Sequence, residues 1–273
     1  MTCNPANPRG TGIIDIWQET FPVRFGAIDK SDRLTLDAMF QFFQEAATSH
    51  AENLRVGREE MAKTGQGWVL SRMSVLADRR PEYSETITVR SWPRGGEKLF
   101  AIRNFDIRDK DDVPAVSARS AWIIVDIEKR RPIRPQSIMD NLPLNVGMEA
   151  LTETDRDTGL VSCGSLAERS DLQKAAERKA LYTDIDYNGH VNNVRYIQWI
   201  EDTLDPLLLE KADKIRLDIN YLSEILGGET VEILSAPIED NSCNNAFAFE
   251  GRKIENGSGS RAAFRAELRL YQR

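Results

Sequence analysis

Residues 182–202 read YTDIDYNGHVNNVRYIQWIED, a loop followed by a helical pattern that occurs a second time in the chain. Asp186, Asn188 and His190 fall on alternate residues, and apolar residues at helical spacing follow at once. We therefore predict a loop that brings a carboxylate, an amide and an imidazole to a helix start, where backbone N–H groups can stabilise negative charge. The segment indicates a hydrolytic site that works without a serine nucleophile or a metal.

The same pattern occurs earlier, at residues 25–45, FGAIDKSDRLTLDAMFQFFQE. Asp29 stands 157 residues before Asp186, and beyond the helix Arg72 stands 144 residues before Arg216. The difference places additional sequence in the first half, around AENLRVGREEMAKTGQG. The identities are few, so the shared order of elements is the stronger evidence that the chain contains two copies of one unit.

Both halves continue mainly as strands. Residues 215–221 alternate apolar and polar side chains, as in a half-buried strand, and the first half offers ETITVRSWP, KLFAIRNFDIRD and AVSARSAWIIVDI in the same order. A helix followed by antiparallel strands closes a core when the sheet wraps the helix, which is the hotdog arrangement. We predict an α+β fold, a tandem double hotdog with two antiparallel sheets each wrapped round a long helix. An N-terminal hotdog over residues 1–145, a polar linker over 146–178 and a C-terminal hotdog over 179–273 are expected.

Composition excludes several classes of protein. The net charge of −7 argues against a general nucleic-acid binder, and 41% hydrophobic with 29% charged residues is typical of a globular protein. Cys3, Cys163 and Cys243 have neither metal-ligand spacing nor a disulfide framework, which fits a reducing cytoplasm. With no apolar run near 20 residues and no apolar signal core in MTCNPANPRGTG, we expect an unprocessed protein without stable membrane association.

The segment DIDYNGHVNNVRYIQW resembles the DxNxHVNNxxYxxW signature of the acyl-acyl-carrier-protein thioesterases, the double-hotdog enzymes of plant plastids and their bacterial relatives. The resemblance implies that Asp186, Asn188 and His190 are catalytic, together with Glu224 at the end of the next strand. Plant members carry a cysteine after that glutamate. Here the position is Ile225, which excludes a Cys–His mechanism at this site and puts more weight on Glu224.

Residue chemistry suggests a role for each group. Glu224 is the candidate general base, or less favourably a nucleophile that forms an anhydride. His190 can hold the water or return a proton to the thiolate, and Asn188 can position the water or the carbonyl. Asp186 would orient the loop through His190 or backbone N–H groups, while N–H groups from Asn192 and the next residue onward would bind the thioester oxygen.

The first-half loop lacks this chemistry. Ser31 and Arg33 stand where the second half has the amide and the imidazole, and Arg80 stands opposite Glu224. We therefore expect no catalysis there. Because Asp29 is kept even so, an aspartate at this position is equally suited to a turn or helix-capping role. His50 is expected to be structural or exposed.

The resemblance further implies that the first hotdog holds the acyl chain and the second supplies the catalytic residues. Candidates for an acyl tunnel are Met39, Phe40, Phe43, Trp68, Val69 and Met73. Simple core filling explains each of them equally well. The additional segment between Ala51 and Gly67 is predicted to cap the tunnel and set chain length.

The main prediction is hydrolysis of acyl-ACP thioesters to free fatty acid and holo-ACP, which ends fatty-acid synthesis. The alternatives are an acyl-CoA thioesterase and a catalytically silent acyl-binding double hotdog. The partner would be acidic acyl carrier protein, so a local basic face is needed, and the candidate is EKRRPIRP with Lys129, Arg130, Arg131 and Arg134. No cofactor, metal or nucleic acid is expected, and the chain would be a monomer or homodimer.

Overall fold

The computed structural model describes residues 13–140, 142–152, 154, 160–254 and 260–272. The helices of the described residues are α1 (Leu36–Asn53), α2 (Arg58–Lys63), α3 (Gln136–Met139), α4 (Asn193–Glu201) and α5 (Pro206–Lys211). The strands are β1 (Trp17–Pro22), β2 (Gln66–Ala77), β3 (Thr86–Glu97), β4 (Phe100–Arg108), β5 (Pro114–Asp126), β6 (Arg131–Ile133), β7 (Gln173–Lys179), β8 (Lys214–Tyr221), β9 (Thr230–Pro237), β10 (Asn245–Ile254) and β11 (Ser260–Tyr271). Cys3 and the other opening residues lie outside the described residues, as do residues 153 and 155–159 of the predicted linker.

The strands form one antiparallel sheet in the order β1-β3-β4-β5-β2-β8-β11-β10-β9-β7, with β6 beside β5. The order β1-β3-β4-β5-β2 of the first half is repeated in the second as β7-β9-β10-β11-β8, which confirms the double hotdog. The halves meet where β2 pairs with β8, from Arg72 opposite Asn220 to Ala77 opposite Ile215. The two predicted sheets are therefore continuous across this β2–β8 seam.

Helix α1 forms the core of the first half. Thr35 precedes it and its hydroxyl accepts the N–H of Ala38 at 3.4 Å, which satisfies one of the unpaired donors of the first turn. Its apolar face is buried against the sheet, where the rings of Phe43 and Phe105 lie 5.0 Å apart. Burial of one such aromatic side chain contributes roughly 1.5–3 kcal/mol. Packing of this face therefore stabilises the contact between the sheet and the helix.

Helix α4 is nine residues long, against eighteen for α1. Leu204 continues the apolar spacing of α4 in the sequence, but it lies beyond the end of that helix. Asp205 and Pro206 begin a new helix there, with the Asp205 carboxylate accepting the N–H of Leu207 at 2.9 Å. The additional sequence of the first half is therefore mostly extra length of α1. The predicted location of the additional sequence, between Ala51 and Gly67, needs correction because α2 in that segment corresponds to α5. The capping role given to the segment stays a prediction.

The connecting segment lies across the face of the sheet opposite the helices. The N–H of Cys163 donates to Ser74 Oγ at 2.7 Å, and the N–H of Leu166 donates to Asn220 Oδ1 at 2.8 Å. The predicted linker boundary at residue 178 needs correction, because Gln173–Lys179 form β7 and pair with β9. The side chains of β7 are mostly charged and exposed, as on an edge strand, and few of the apolar residues that mark a buried strand are present.

Candidate active site

The loop from Asp186 to His190 is a tight turn closed by its own backbone. The N–H of Asp186 donates to His190 O at 2.9 Å, and the N–H of Gly189 donates to Asp186 O at 3.0 Å. Gly189 has φ +83°, a left-handed conformation that suits glycine. Asp186 Oδ1 accepts the N–H of Asn188 at 2.8 Å. Asp186 therefore shapes the loop that presents Asn188 and His190.

The imidazole of His190 faces partly outward, with 29% of the side chain exposed. Its Nδ1 lies 3.8 Å from Asp186 Oδ1 and 3.5 Å from the backbone oxygen of Val191. The first of these distances is too long for a direct hydrogen bond. The direct partner of the Asp186 carboxylate is thus the loop backbone rather than the imidazole.

Glu224 follows β8, and its neighbours in sequence pair with the loop that contains Asp186 and His190. The N–H of Val191 donates to Ile225 O at 2.8 Å, and His190 forms a β-bridge with Leu226. The Glu224 side chain is about half exposed, and its Oε1 lies 3.6 Å from Nη1 of Arg130. Arg130 is in the turn between β5 and β6, so the first half places a cation beside the predicted base.

Most of the predicted oxyanion donors at the start of α4 are already used. The N–H of Asn192 donates to Asp184 O at 2.9 Å, and Asn192 Oδ1 accepts the N–H of Val194 at 2.9 Å. The expectation that N–H groups from Asn192 onward bind the thioester oxygen is therefore wrong for Asn192 and Val194. For Asn193 it stays a prediction.

Tyr196 is a buried residue of α4 that the prediction of site residues did not include. Burial raises the pKa of the Tyr196 hydroxyl, the N–H of Ile225 acts in the opposite direction, and the nearby carboxylate of Asp186 raises the pKa further. The Tyr196 ring meets that of Tyr221 edge-on, with 5.4 Å between centroids. A tyrosine in an otherwise apolar helix face next to the His-Val-Asn-Asn run was the available signal.

The corresponding loop of the first half has the same backbone and different side chains. Asp29 Oδ1 accepts the N–H of Ser31 at 2.8 Å, as Asp186 does for Asn188. The guanidinium of Arg80 lies 2.6 Å from Asp29 Oδ2. Arg33 and Arg80 then donate to backbone oxygens near the end of α5, namely those of Leu209, Glu210 and Ala212. The first-half loop therefore connects the two halves. The equivalent loop of the second half instead presents Asn188 and His190.

The predicted acyl-binding side chains are mostly enclosed in the core. Those with at most 4% of their surface exposed are Met39, Phe40, Phe43 and Met73. Trp68 is partly buried and its indole N–H donates to Val56 O at 2.8 Å, while Val69 is 45% exposed. An acyl chain would reach the four enclosed residues only by displacing core neighbours, so their role in binding stays a prediction.

An open cleft lies beside Asp186. It is lined in part by Leu181, Tyr182, Ile185 and Arg195. Tyr182 is 94% exposed at the surface, so the approach to the loop has an aromatic border.

Within the described ranges, no group of three or more His, Cys, Asp or Glu side chains is arranged to hold a metal ion. No helix of the described chain is long and apolar enough to span a membrane.

Two hotdog units of the same strand order, joined in one continuous sheet, define a double-hotdog protein. Residues 15–142 match the profile of the acyl-ACP thioesterase N-terminal domain, and residues 167–265 match that of the C-terminal domain. The chain belongs to the acyl-ACP thioesterase family.

Known proteins give the same assignment. The chain is 26% identical over 246 residues to a chloroplastic palmitoyl-acyl carrier protein thioesterase of Cuphea hookeriana, covering 84% of this chain and 58% of that one. It is 23% identical over 249 residues to a chloroplastic oleoyl-acyl carrier protein thioesterase of Coriandrum sativum, covering 82% and 63%. The chain thus spans less than two thirds of the length of these curated relatives.

Solved structures share the whole fold. A crystal structure of an acyl-ACP thioesterase from Bacteroides thetaiotaomicron has a TM-score of 0.76 at 25% identity, covering 94% of this chain and 98% of that one. The 12:0-ACP thioesterase from Umbellularia californica has a TM-score of 0.77 at 20% identity, covering 98% and 100%. These likenesses establish the double-hotdog fold over at least 94% of each chain.

Proposed function

We propose that the chain hydrolyses acyl-ACP thioesters to free fatty acid and holo-ACP, and so ends fatty-acid synthesis. The observation that supports this most is the pairing of backbone between the His190 loop and the segment after Glu224. This pairing holds the imidazole of His190 and the carboxylate of Glu224 on adjacent segments. A carboxylate and an imidazole can serve as the general base and general acid of hydrolysis by water. Family membership and the names of the relatives support the thioester as the bond that is broken.

In the proposed reaction Glu224 removes a proton from water, and the resulting hydroxide attacks the carbonyl carbon of the thioester. The tetrahedral intermediate then breaks its C–S bond, and the departing thiolate receives a proton returned through His190. Asn188 positions the water or the carbonyl, while Asp186 holds the loop. Water thus supplies the oxygen of the acid and the hydrogen of the thiol, and no cofactor takes part.

The two halves would divide the work. The first half, over residues 1–145, would hold the acyl chain, and the second, over 179–273, would carry out the chemistry. The proposed carrier contact is the turn around Lys129, Arg130 and Arg131, which is exposed and basic. Lys129 also lies 3.3 Å from Asp126, so part of this charge is already paired.

The experiment is thiol release from matched acyl-ACP and acyl-CoA series of increasing chain length. Glu224→Ala is compared with Glu239→Ala, an exposed glutamate in the same half. A preference for ACP thioesters that Glu224→Ala abolishes and Glu239→Ala preserves supports the proposal. Equal or better use of CoA thioesters identifies an acyl-CoA thioesterase, and turnover of neither series identifies a silent acyl-binding protein.

We also propose the cytoplasm as the compartment and a monomer or homodimer as the quaternary state. The cysteines that the structure describes, Cys163 and Cys243, are unpaired, which suits a reducing environment. The two hotdogs already form one continuous sheet, so a single chain supplies both halves of the unit. Light scattering of the purified chain measures the oligomer directly.

A further inference from the structure

The short helices α2 and α5 occupy equivalent places in the two halves. Helix α2 begins at Arg58, five residues after α1 ends at Asn53, and α5 begins at Pro206, five residues after α4 ends at Glu201. Each of them contacts the loop of the opposite half. The two contacts differ in kind. The first-half loop contacts α5 through an ion pair and hydrogen bonds, and the His190 loop contacts α2 through a cation over an aromatic ring.

The first-half loop contacts α5 through charged side chains. Lys30, the counterpart of Tyr187 at a spacing of 157 residues, places Nζ 2.8 Å from Glu210 Oε1. Arg33 and Arg80 add hydrogen bonds to backbone oxygens of the same segment. This ion pair and these hydrogen bonds hold the first-half loop against α5.

In the catalytic loop the equivalent contact is a cation over an aromatic ring. The guanidinium carbon of Arg58 lies 4.1 Å from the centroid of the Tyr187 ring, well inside the range of a cation–π interaction. Tyr187 stands between Asp186 and Asn188 and is 66% exposed. Arg58 therefore touches the loop at its centre, between two of the predicted catalytic residues.

Helix α2 is held in place by contacts with the core, with α1 and with β2. Met61 is 4% exposed and anchors the helix to the core. The backbone N–H of Arg58 donates to Glu52 Oε1 at 2.8 Å, in the last turn of α1. The indole N–H of Trp68 donates to Val56 O at 2.8 Å and fixes the chain that enters α2. The backbone that carries Arg58 is thus held from both sides.

We infer that Arg58 is a positioning residue for the catalytic loop and acts through the ring of Tyr187. The inference rests on the proposed hydrolase function. The side chain of Asn188 is exposed, so its direction depends on the loop that carries it. Arg58 restrains that loop from the first half, and a bound substrate therefore meets a loop that is already oriented.

The test measures kcat and KM for Arg58→Ala, Tyr187→Leu and the double variant on a carrier-free acyl thioester. We expect each single variant to lower kcat about two- to fivefold, the equivalent of one exposed cation–π contact. The double variant should lose no more than either single one, because both changes remove the same contact. Tyr187→Phe and Arg58→Lys should retain activity, since ring and cation remain.

The matched control is Lys63→Ala, which removes a cation of α2 whose partner is Glu60. Additive losses, or an unchanged kcat in Tyr187→Leu, would overturn the inference. A loss seen only with carrier-bound substrate would make Arg58 a carrier contact instead. Hydrogen exchange of residues 186–190 is read without turnover, so it separates failure of the inference from failure of the proposed function. It should accelerate in Arg58→Ala and Tyr187→Leu and stay unchanged in Lys63→Ala.

Discussion

Arg80 pairs with Asp29 across 2.6 Å at the place where the second half carries Glu224 and Asp186. The aspartate is common to both halves, while the carboxylate that we propose as the base is replaced by a guanidinium in the first half. The same backbone loop therefore serves two purposes, which are decided by the side chain that arrives from the following strand.

The first prediction concerns Asp186. Asp186→Asn keeps an oxygen that accepts the N–H of Asn188, so we expect a stable protein with kcat within about tenfold of wild type. Asp186→Ala removes the acceptor and should lower the free energy of unfolding by about 1 kcal/mol, with a larger loss of kcat. Urea unfolding and steady-state kinetics provide the two values. If Asp186→Asn were as inactive as His190→Ala, the charge of Asp186 would take part in the chemistry.

The second prediction concerns Gly189, whose φ is +83°. A Cβ built there meets nothing within 4 Å, so any effect of substitution comes from backbone strain alone. Gly189→Ala should cost about 1–2 kcal/mol of stability, measured by urea unfolding. Gly189→Asn should cost less, because the equivalent Asp32 adopts φ +60° in the first half. Equal losses in the two variants would contradict the strain argument.

The third prediction concerns Arg80, whose side chain is 3% exposed. Arg80→Glu installs the residue type of the second half, yet it removes the partner of Asp29 and sets a carboxylate against it. We expect a loss of about 3–5 kcal/mol in the free energy of unfolding and no second active site. Arg24→Glu, at an exposed arginine, is the control and should change stability little. Thiol release from Arg80→Glu combined with Glu224→Ala would contradict the expectation.

The fourth prediction concerns pH. Burial, and after it the charge of Asp37, raise the pKa of Glu201 from 4.5 to about 8. The folded state thus binds a proton that the unfolded state releases, so this contribution to stability is complete below pH 4.5 and is lost as pH rises to about 8. Urea unfolding between pH 6.5 and 9 should show the fall in wild type, because the opposite effect of His50 acts below pH 6.5. Glu201→Gln should flatten it, and the exposed Glu59→Gln should leave it unchanged.

His50 changes stability in the opposite direction. It is fully buried, Arg103 donates to its Nδ1 at 3.1 Å, and its Nε2 therefore donates to Ile14 O at 2.8 Å. Burial, with the charge of Arg103, lowers the pKa of His50 from 6.5 to about 4. Stability is then lost as pH falls from 6.5 to 4. The two effects overlap between pH 4.5 and 6.5, which is why the Glu201→Gln comparison is needed.

The backbone frame of the molecule could be predicted because its signals are local. The prediction that Asp29 and Asp186 are equivalent is confirmed by equal hydrogen bonds in the two loops. The spacing of 144 residues is confirmed as well, because Leu34 donates to Pro81 O and Val191 donates to Ile225 O, each at 2.8 Å. Both correspondences follow from residue types that set turns and strand ends, which need no knowledge of distant neighbours.

The contacts between halves could not be predicted in the same way. Arg58 over Tyr187 and Arg130 beside Glu224 join residues far apart in sequence, and nothing in their local patterns marks a partner. The continuity of the sheet was missed for a related reason. Strand β2 reads as a buried strand whether its neighbour belongs to its own half or to the other, since backbone hydrogen bonds carry no residue preference.

The β2–β8 seam has a consequence for how such a chain can change over time. In a dimer of identical subunits every substitution appears twice, so a loop cannot lose its chemistry without its copy losing it as well. Here the seam joins two halves of one chain, and each can accumulate its own substitutions. One loop can therefore carry the arginines that bind the end of α5, while the other keeps the residues proposed to be catalytic.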